Sequence, residues 1–111
     1  MREQKETIKF DDYLKLDVRI CEIMSAERVP ETDKLLKLLV DTGIDNRTAI
    51  TNIGSIFKPE ELVGLKMPFV LNIDPVSIRG IESTAMILAS TNTEGSIELI
   101  DVDNELGSVV I

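Results

Sequence analysis

The sequence predicts an all-β domain of five main strands, with a short helix between the third and fourth. Three observations carry that prediction. Short apolar runs rich in β-branched residues recur from Val18 to Ala89. Turn-forming residues punctuate them, at Pro30, Gly43, Asn46, Gly64 and Gly80. Helical spacing is confined to two brief stretches, residues 10–16 and 58–64. This order matches a five-stranded Greek-key barrel with an inter-strand helix. Pattern alone leaves a small β-sandwich or another partly open barrel nearly as compatible.

Taken in order, Phe10, Tyr13 and Leu14 lie at helical intervals and predict an N-terminal helical turn with an apolar face. Val18 to Met24 reads as the first strand, with Arg19 and Glu22 exposed and Pro30 beyond its end. Leu35 to Val40 is the second. Leu36, Leu38 and Val40 share one face, and Lys37 and Asp41 fall on the other. Residues 42–46 form a hairpin loop, and Arg47 to Thr51 is the third strand. Between Lys58 and Gly64, Pro59 suits the first helical position, Glu60 and Glu61 suit the helix N-terminus, and glycine suits the exit. Lys66 to Leu71 is the fourth strand, which Pro68 places at a sheet edge or a strand start. Thr84 to Ala89 is nearly all apolar and is expected as a fifth strand buried on both sides. Ile97 to Ile100 alternates as a short sixth, and Val109-Val110-Ile111 closes the chain.

The 111 residues suit one domain over 1–111, with the barrel at about 17–90 and an extension at about 91–111. Hydrophobic residues make up 43% and charged residues 29%, enough for a core and against wholesale disorder. No apolar run approaches the roughly 20 residues that span a bilayer. The mixed-charge start, residues 1–6, lacks the apolar stretch of a signal peptide, so a cytoplasmic location is expected. The single cysteine, Cys21, excludes an internal disulfide and reads as a small core hydrophobe. There is no histidine, which removes the usual base near neutral pH and the commonest metal ligand. The glycines are scattered and form no phosphate loop. No catalysis, cofactor or metal is therefore expected of this chain.

The net charge of −8 disfavours a polyanionic partner for the molecule as a whole. Its distribution is uneven. Residues 1–79 hold all 12 basic residues against 14 acidic ones, whereas residues 80–111 hold 6 acidic residues and no basic one. A basic face on the first two thirds is compatible with that, because fields are screened beyond about 8 Å at physiological salt.

Two segments carry chemistry. The first is Glu27-Arg28-Val29-Pro30-Glu31-Thr32-Asp33-Lys34-Leu35-Leu36. The second runs from Asn72-Ile73-Asp74-Pro75 through Arg79-Gly80 to Ser83 and Met86. Their order and separation resemble the tRNA-binding OB-fold domain. That domain is found at the C-terminus of methionyl-tRNA synthetases, at the end of phenylalanyl-tRNA synthetase β chains, and as free-standing dimeric proteins. The resemblance covers roughly residues 8–111 and selects the OB-fold barrel over its rivals. It implies tRNA as the partner, a homodimer built through residues 8–16 and 90–111, and association with methionyl-tRNA synthetase. Asp33, Lys34 and Leu35 match its first block, and Asn72, Pro75, Arg79, Gly80, Ser83 and Met86 its second. The implied tRNA-binding residues are Arg19, Lys34, Arg47, Asn52, Asn72, Arg79, Ser83 and Met86.

The residue types fit those roles, each beside a plainer one. Lys34, Arg47 and Arg79 can meet phosphate, Arg79 also by stacking on a base. Lys34 could equally pair with a neighbouring carboxylate such as Glu31. Asn52, Asn72 and Ser83 can hydrogen-bond, although asparagine is also a common turn residue. Met86 in an apolar strand would ordinarily be core.

The chain departs from the family pattern where Asp74, Val76 and Ser77 replace basic residues. Thr51-Asn52 stands for a serine-glycine pair, Ala85 for a glycine, and the tail ends without a basic residue. Each lost phosphate contact removes affinity and about one unit of salt slope. The alternative function is a dimeric protein-binding module, chaperone-like or scaffolding, of the kind a related bacterial branch supplies.

Overall fold

The computed structural model describes residues 3–111; Met1 and Arg2, part of the charged start, lie outside the described residues. The order of elements is α1 (Phe10–Leu14), β1 (Val18–Arg28), β2 (Leu36–Asp41), β3 (Asn46–Thr51), α2 (Pro59–Leu62), β4 (Lys66–Val70), β5 (Val76–Ile78), β6 (Ile81–Ser83), β7 (Met86–Ile87), β8 (Ala89–Thr91) and β9 (Ile97–Leu99). Five strands form one antiparallel sheet in the order β3-β2-β1-β4-β7. The sheet curls until its ends nearly meet. Thr84 N–H donates to Thr48 O at 3.0 Å, and Ile50 N–H donates to the Ser83 hydroxyl at 3.0 Å. The result is the nearly closed five-stranded barrel that the sequence predicts.

Alternation fills the barrel. Leu36, Leu38 and Val40 are completely buried, as are Cys21, Ile23, Met67 and Phe69. Helix α2 caps one end with buried Leu62. The chain after it bonds to β1, Gly64 N–H to Ile23 O at 2.8 Å and Ile23 N–H to Leu65 O at 3.0 Å. Those bonds coincide with a bulge in β1 between Ile23 and Ser25.

Two expectations are corrected. Pro68 is neither at an edge nor at a strand start; it lies within β4, between β1 and β7. Its partner Ile20 turns its amide and carbonyl away, to Ser108 O and Gly107 N, so β1 asks no N–H of Pro68. On the other side, Pro68 O still accepts from Leu88 N–H at 3.1 Å. The run Thr84 to Ala89 is not one strand buried on both sides. It divides into β7, which joins the barrel, and β8, which pairs with β9. Met86 and Leu88 are exposed, because only the barrel-facing side of this run is covered.

The sequence reading also missed a hairpin. β5 and β6 pair with Ile78 opposite Ile81, turning through Arg79 (φ 54°) and Gly80 (φ 77°). Two successive positive φ values are the signature of a tight type I′ hairpin turn.

The tail returns to β1. Gly107 N–H donates to Ile20 O, Ile20 N–H to Ser108 O, and Val110 N–H to Val18 O. It thus occupies the edge of β1 beyond the point where β2 has ended.

Candidate nucleic-acid interface

The open side of the barrel carries a groove of about 430 Å³. Leu35 before β2, Ile50 near the end of β3, Asn52 just after it, Ile78 of β5, and Met86 and Ile87 of β7 contribute to its lining. It exists because the β5–β6 and β8–β9 hairpins stand apart from the sheet instead of continuing it. None of its lining residues carries a charge.

Two of the sequence-predicted residues, Asn52 and Met86, line this groove. Lys34 and Arg79 do not line it; they are next in sequence to the lining residues Leu35 and Ile78. Among the described residues, the side chains of Lys34, Asn52 and Arg79 make no hydrogen bond or ion pair, Lys34 with Glu31 included. Met86 is 37% exposed and is a wall of the groove, not core. Arg79 is held at the hairpin tip in a left-handed conformation that residues with a Cβ adopt at a cost.

The other four are engaged within the protein. Arg19 pairs with Asp17 at 2.9 Å. Arg47 pairs with Asp45 at 3.2 Å and donates to the carbonyls of Leu71 and Thr84, tying β3 to the segments that follow β4 and precede β7. The Thr42 hydroxyl and the Arg47 guanidinium together hold the Asp45 carboxyl below its ordinary pKa. The Asn72 side chain accepts from Asp17 N–H at 2.8 Å and donates to Lys15 O, clasping the segment between α1 and β1. Ser83 is fully buried; its hydroxyl accepts from Ile50 N–H and donates to Ala85 O, both at 3.0 Å. Arg47 and Asn52 stand at opposite ends of β3, roughly 16 Å apart along the strand.

A family model described as "Putative tRNA binding domain" matches residues 18–109. The chain belongs to this tRNA-binding domain family. It is 45% identical over 100 residues to the methionine–tRNA ligase of Flavobacterium johnsoniae, a match covering 90% of this chain and 14% of the ligase. The ligase of Parabacteroides distasonis is 39% identical over 102 residues, covering 92% and 15%. The chain thus spans about one seventh of the length of these relatives. A methionyl-tRNA synthetase-related protein from Pyrococcus horikoshii has the same fold, with a TM-score of 0.91 at 35% identity over 96% of this chain and all of the other. The chaperone CsaA of Bacillus anthracis gives 0.83 at 26% identity, over 96% and 100%.

Within this tRNA-binding domain, Arg28 is the residue that sequence reading missed. One nitrogen of its guanidinium donates to Gly54 O at 2.6 Å and to Asp33 O at 3.2 Å. Beside it, Gly54 N–H donates to Lys34 O at 2.7 Å. A Cβ on Gly54 would lie 2.7 Å from that same oxygen, so only glycine permits the approach. Arg28 and Gly54 together pin the Lys34 loop against the segment that carries Asn52. The sequence reading ends its first strand at Met24, whereas β1 runs on to Arg28 and so brings that guanidinium to the turn it braces.

Among the described residues, no group of carboxylates and cysteine is placed to hold a metal ion. No helix among them is long and apolar enough to cross a membrane.

Proposed function

We propose that the chain acts as a tRNA-binding module that grips its ligand by backbone charge and shape, with little sequence reading, beside or within a methionyl-tRNA synthetase. The observation that carries this reading is a set of polar residues left unengaged in a tRNA-binding domain. Lys34, Asn52 and Arg79 have no internal partner among the described residues, and Arg79 is kept in a left-handed turn conformation. Strain of that kind is tolerated at functional positions. Lys34 and Arg79 supply phosphate contacts, and Asn52 and Met86 touch the ligand between them. Arg19, Arg47, Asn72 and Ser83 act by holding the barrel in shape. The chemistry of aminoacylation belongs to another chain or domain, and the module works in the cytoplasm.

The module works as one unit over 1–111, with the barrel at about 17–90 and a dimerisation extension at about 91–111. Ile8, Phe10, Leu14 and Leu16 are each more than half exposed, as are Val109 and Ile111. Asn72 ties the first group, and the tail's bonds tie the second, to the same end of β1. A second copy covering both would remove this apolar surface from water.

A protein-binding role is the second reading. The uncharged groove, Asp74 and Glu82 near it in sequence, and the likeness to CsaA favour it.

Gel-shift titration with total tRNA, beside a hydrophobic peptide library, tests the choice. Retarded tRNA that Lys34→Glu releases supports the first reading. Peptide capture without tRNA retardation overturns it. Sedimentation equilibrium reads the dimer directly, and a monomer mass at micromolar concentration would refute that part.

A further inference from the structure

The groove has a composition that backbone charge alone does not require. We infer that it is a pocket for one unpaired nucleobase, extruded from the RNA, with Asn52 reading its edge. This inference rests on the tRNA-binding reading and specifies which part of the RNA the site takes. Three observations point to a base. The volume of about 430 Å³ lies in the range of pockets that enclose small molecules, roughly 300–1,000 Å³, and is more than a phosphate contact needs. The walls at Ile50, Ile53, Ile87 and Met86 are apolar, as a base lying against them requires. Asn52 offers a donor and an acceptor on one planar amide, and among the described residues neither is used inside the protein.

The family decides the class of occupant, because a tRNA-binding domain brings RNA to the protein. The lining contains no charged side chain, so nothing in it repels a nucleotide. An aliphatic peptide side chain would fill the walls equally well, but it would leave the Asn52 amide without a polar partner. The groove holds no aromatic ring, so the base would pack on aliphatic surface, with the polar contact to Asn52 setting its orientation. Arg28 and Gly54 contribute by fixing the distance between the Lys34 and Asn52 sides.

The test uses the full chain and fluorescence anisotropy with three probes: total tRNA, a single-stranded RNA hexamer, and a blunt RNA duplex of matched charge. The expected result is tighter binding of tRNA and hexamer than of duplex. Ala89→Phe, which fills the groove from its lining, should weaken hexamer binding about tenfold with the salt slope unchanged, because the phosphate contacts remain. Asn52→Ala should weaken it about threefold, and because Asn52 is exposed this variant remains informative if Ala89→Phe does not fold. Methyl NMR of Met86 should shift on adding hexamer to the wild type. Equal affinity for duplex and hexamer, or hexamer affinity unchanged in Asn52→Ala, would overturn the pocket while leaving tRNA binding intact. Met86 shifts produced by an aliphatic peptide and not by RNA would also overturn it, in favour of a protein ligand. Absence of tRNA binding by the wild type would instead overturn the reading on which the pocket rests.

Discussion

Replacing Ser83 by alanine separates a structural hydroxyl from a ligand contact. Its oxygen is fully buried, accepts from Ile50 N–H and donates to Ala85 O. Ile50 is itself only 2% exposed, so water cannot take over its amide. Alanine keeps the Cβ and vacates only the volume of one hydroxyl, too small a space to add a cavity cost of consequence. The loss is therefore the desolvation of one buried donor and one acceptor, about 1–3 kcal/mol. A domain slightly above 100 residues loses roughly 4 °C of Tm per kcal/mol, so the melting point should fall by roughly 4–12 °C. Circular dichroism melting reads this, and tRNA anisotropy across a salt series is run on the same samples below the transition. The salt slope should be unchanged. A Tm within a degree of wild type would refute the reasoning. So would tRNA affinity lowered severalfold at every salt concentration with Tm unchanged, because it would mean that the hydroxyl touches the ligand.

Arg28→Met removes the donor shared by Asp33 O and Gly54 O while keeping most of the side-chain bulk. Because Arg28 is exposed and water can replace part of the loss, urea denaturation should show a decrease of about 1 kcal/mol. tRNA binding should weaken with its salt slope preserved, since Arg28 acts through the loop. Burial pushes the Cys21 thiol up to about 11 from an ordinary value of 9.0. The unfolded thiol then ionises first, and the folded state holds the extra proton between these values. Stability from this group is complete below pH 9 and is lost as pH rises towards 11. Denaturation midpoints across that window should fall in the wild type and fall less in Cys21→Ala. Thiol reagents at neutral pH should label Cys21 only on unfolding.

Much of the barrel is legible in the sequence because burial imposes period two on its strands. Leu36, Leu38 and Val40 announce β2, and Pro59 with two glutamates announces α2 before it caps the core. The run Thr84 to Ala89 conceals its division between two sheets, because apolar character does not say which partner a strand takes. Pro68 looked like an edge residue because the sequence cannot show that Ile20 bonds to the tail instead. At the site, residue type is ambiguous for a chemical reason. A phosphate oxygen and a main-chain carbonyl are both acceptors, so an arginine suited to one suits the other. Arg47 spends its donors on Leu71 and Thr84, and Arg28 spends its own on Asp33 and Gly54. Arg79 and Lys34 have no such carbonyl within reach among the described residues. Met86 is a groove wall and not core because β7 is short and leaves its outer face open.

The most direct measurement is tRNA binding by the wild type and Arg79→Glu, followed by anisotropy from low to physiological salt. Wild-type binding should weaken linearly on a logarithmic salt scale, and the charge reversal should abolish most of it and lower the slope. That outcome would establish a nucleic-acid face on a molecule of net charge −8. No wild-type binding at low salt, where attraction is least screened, would contradict the tRNA-binding role of the isolated chain.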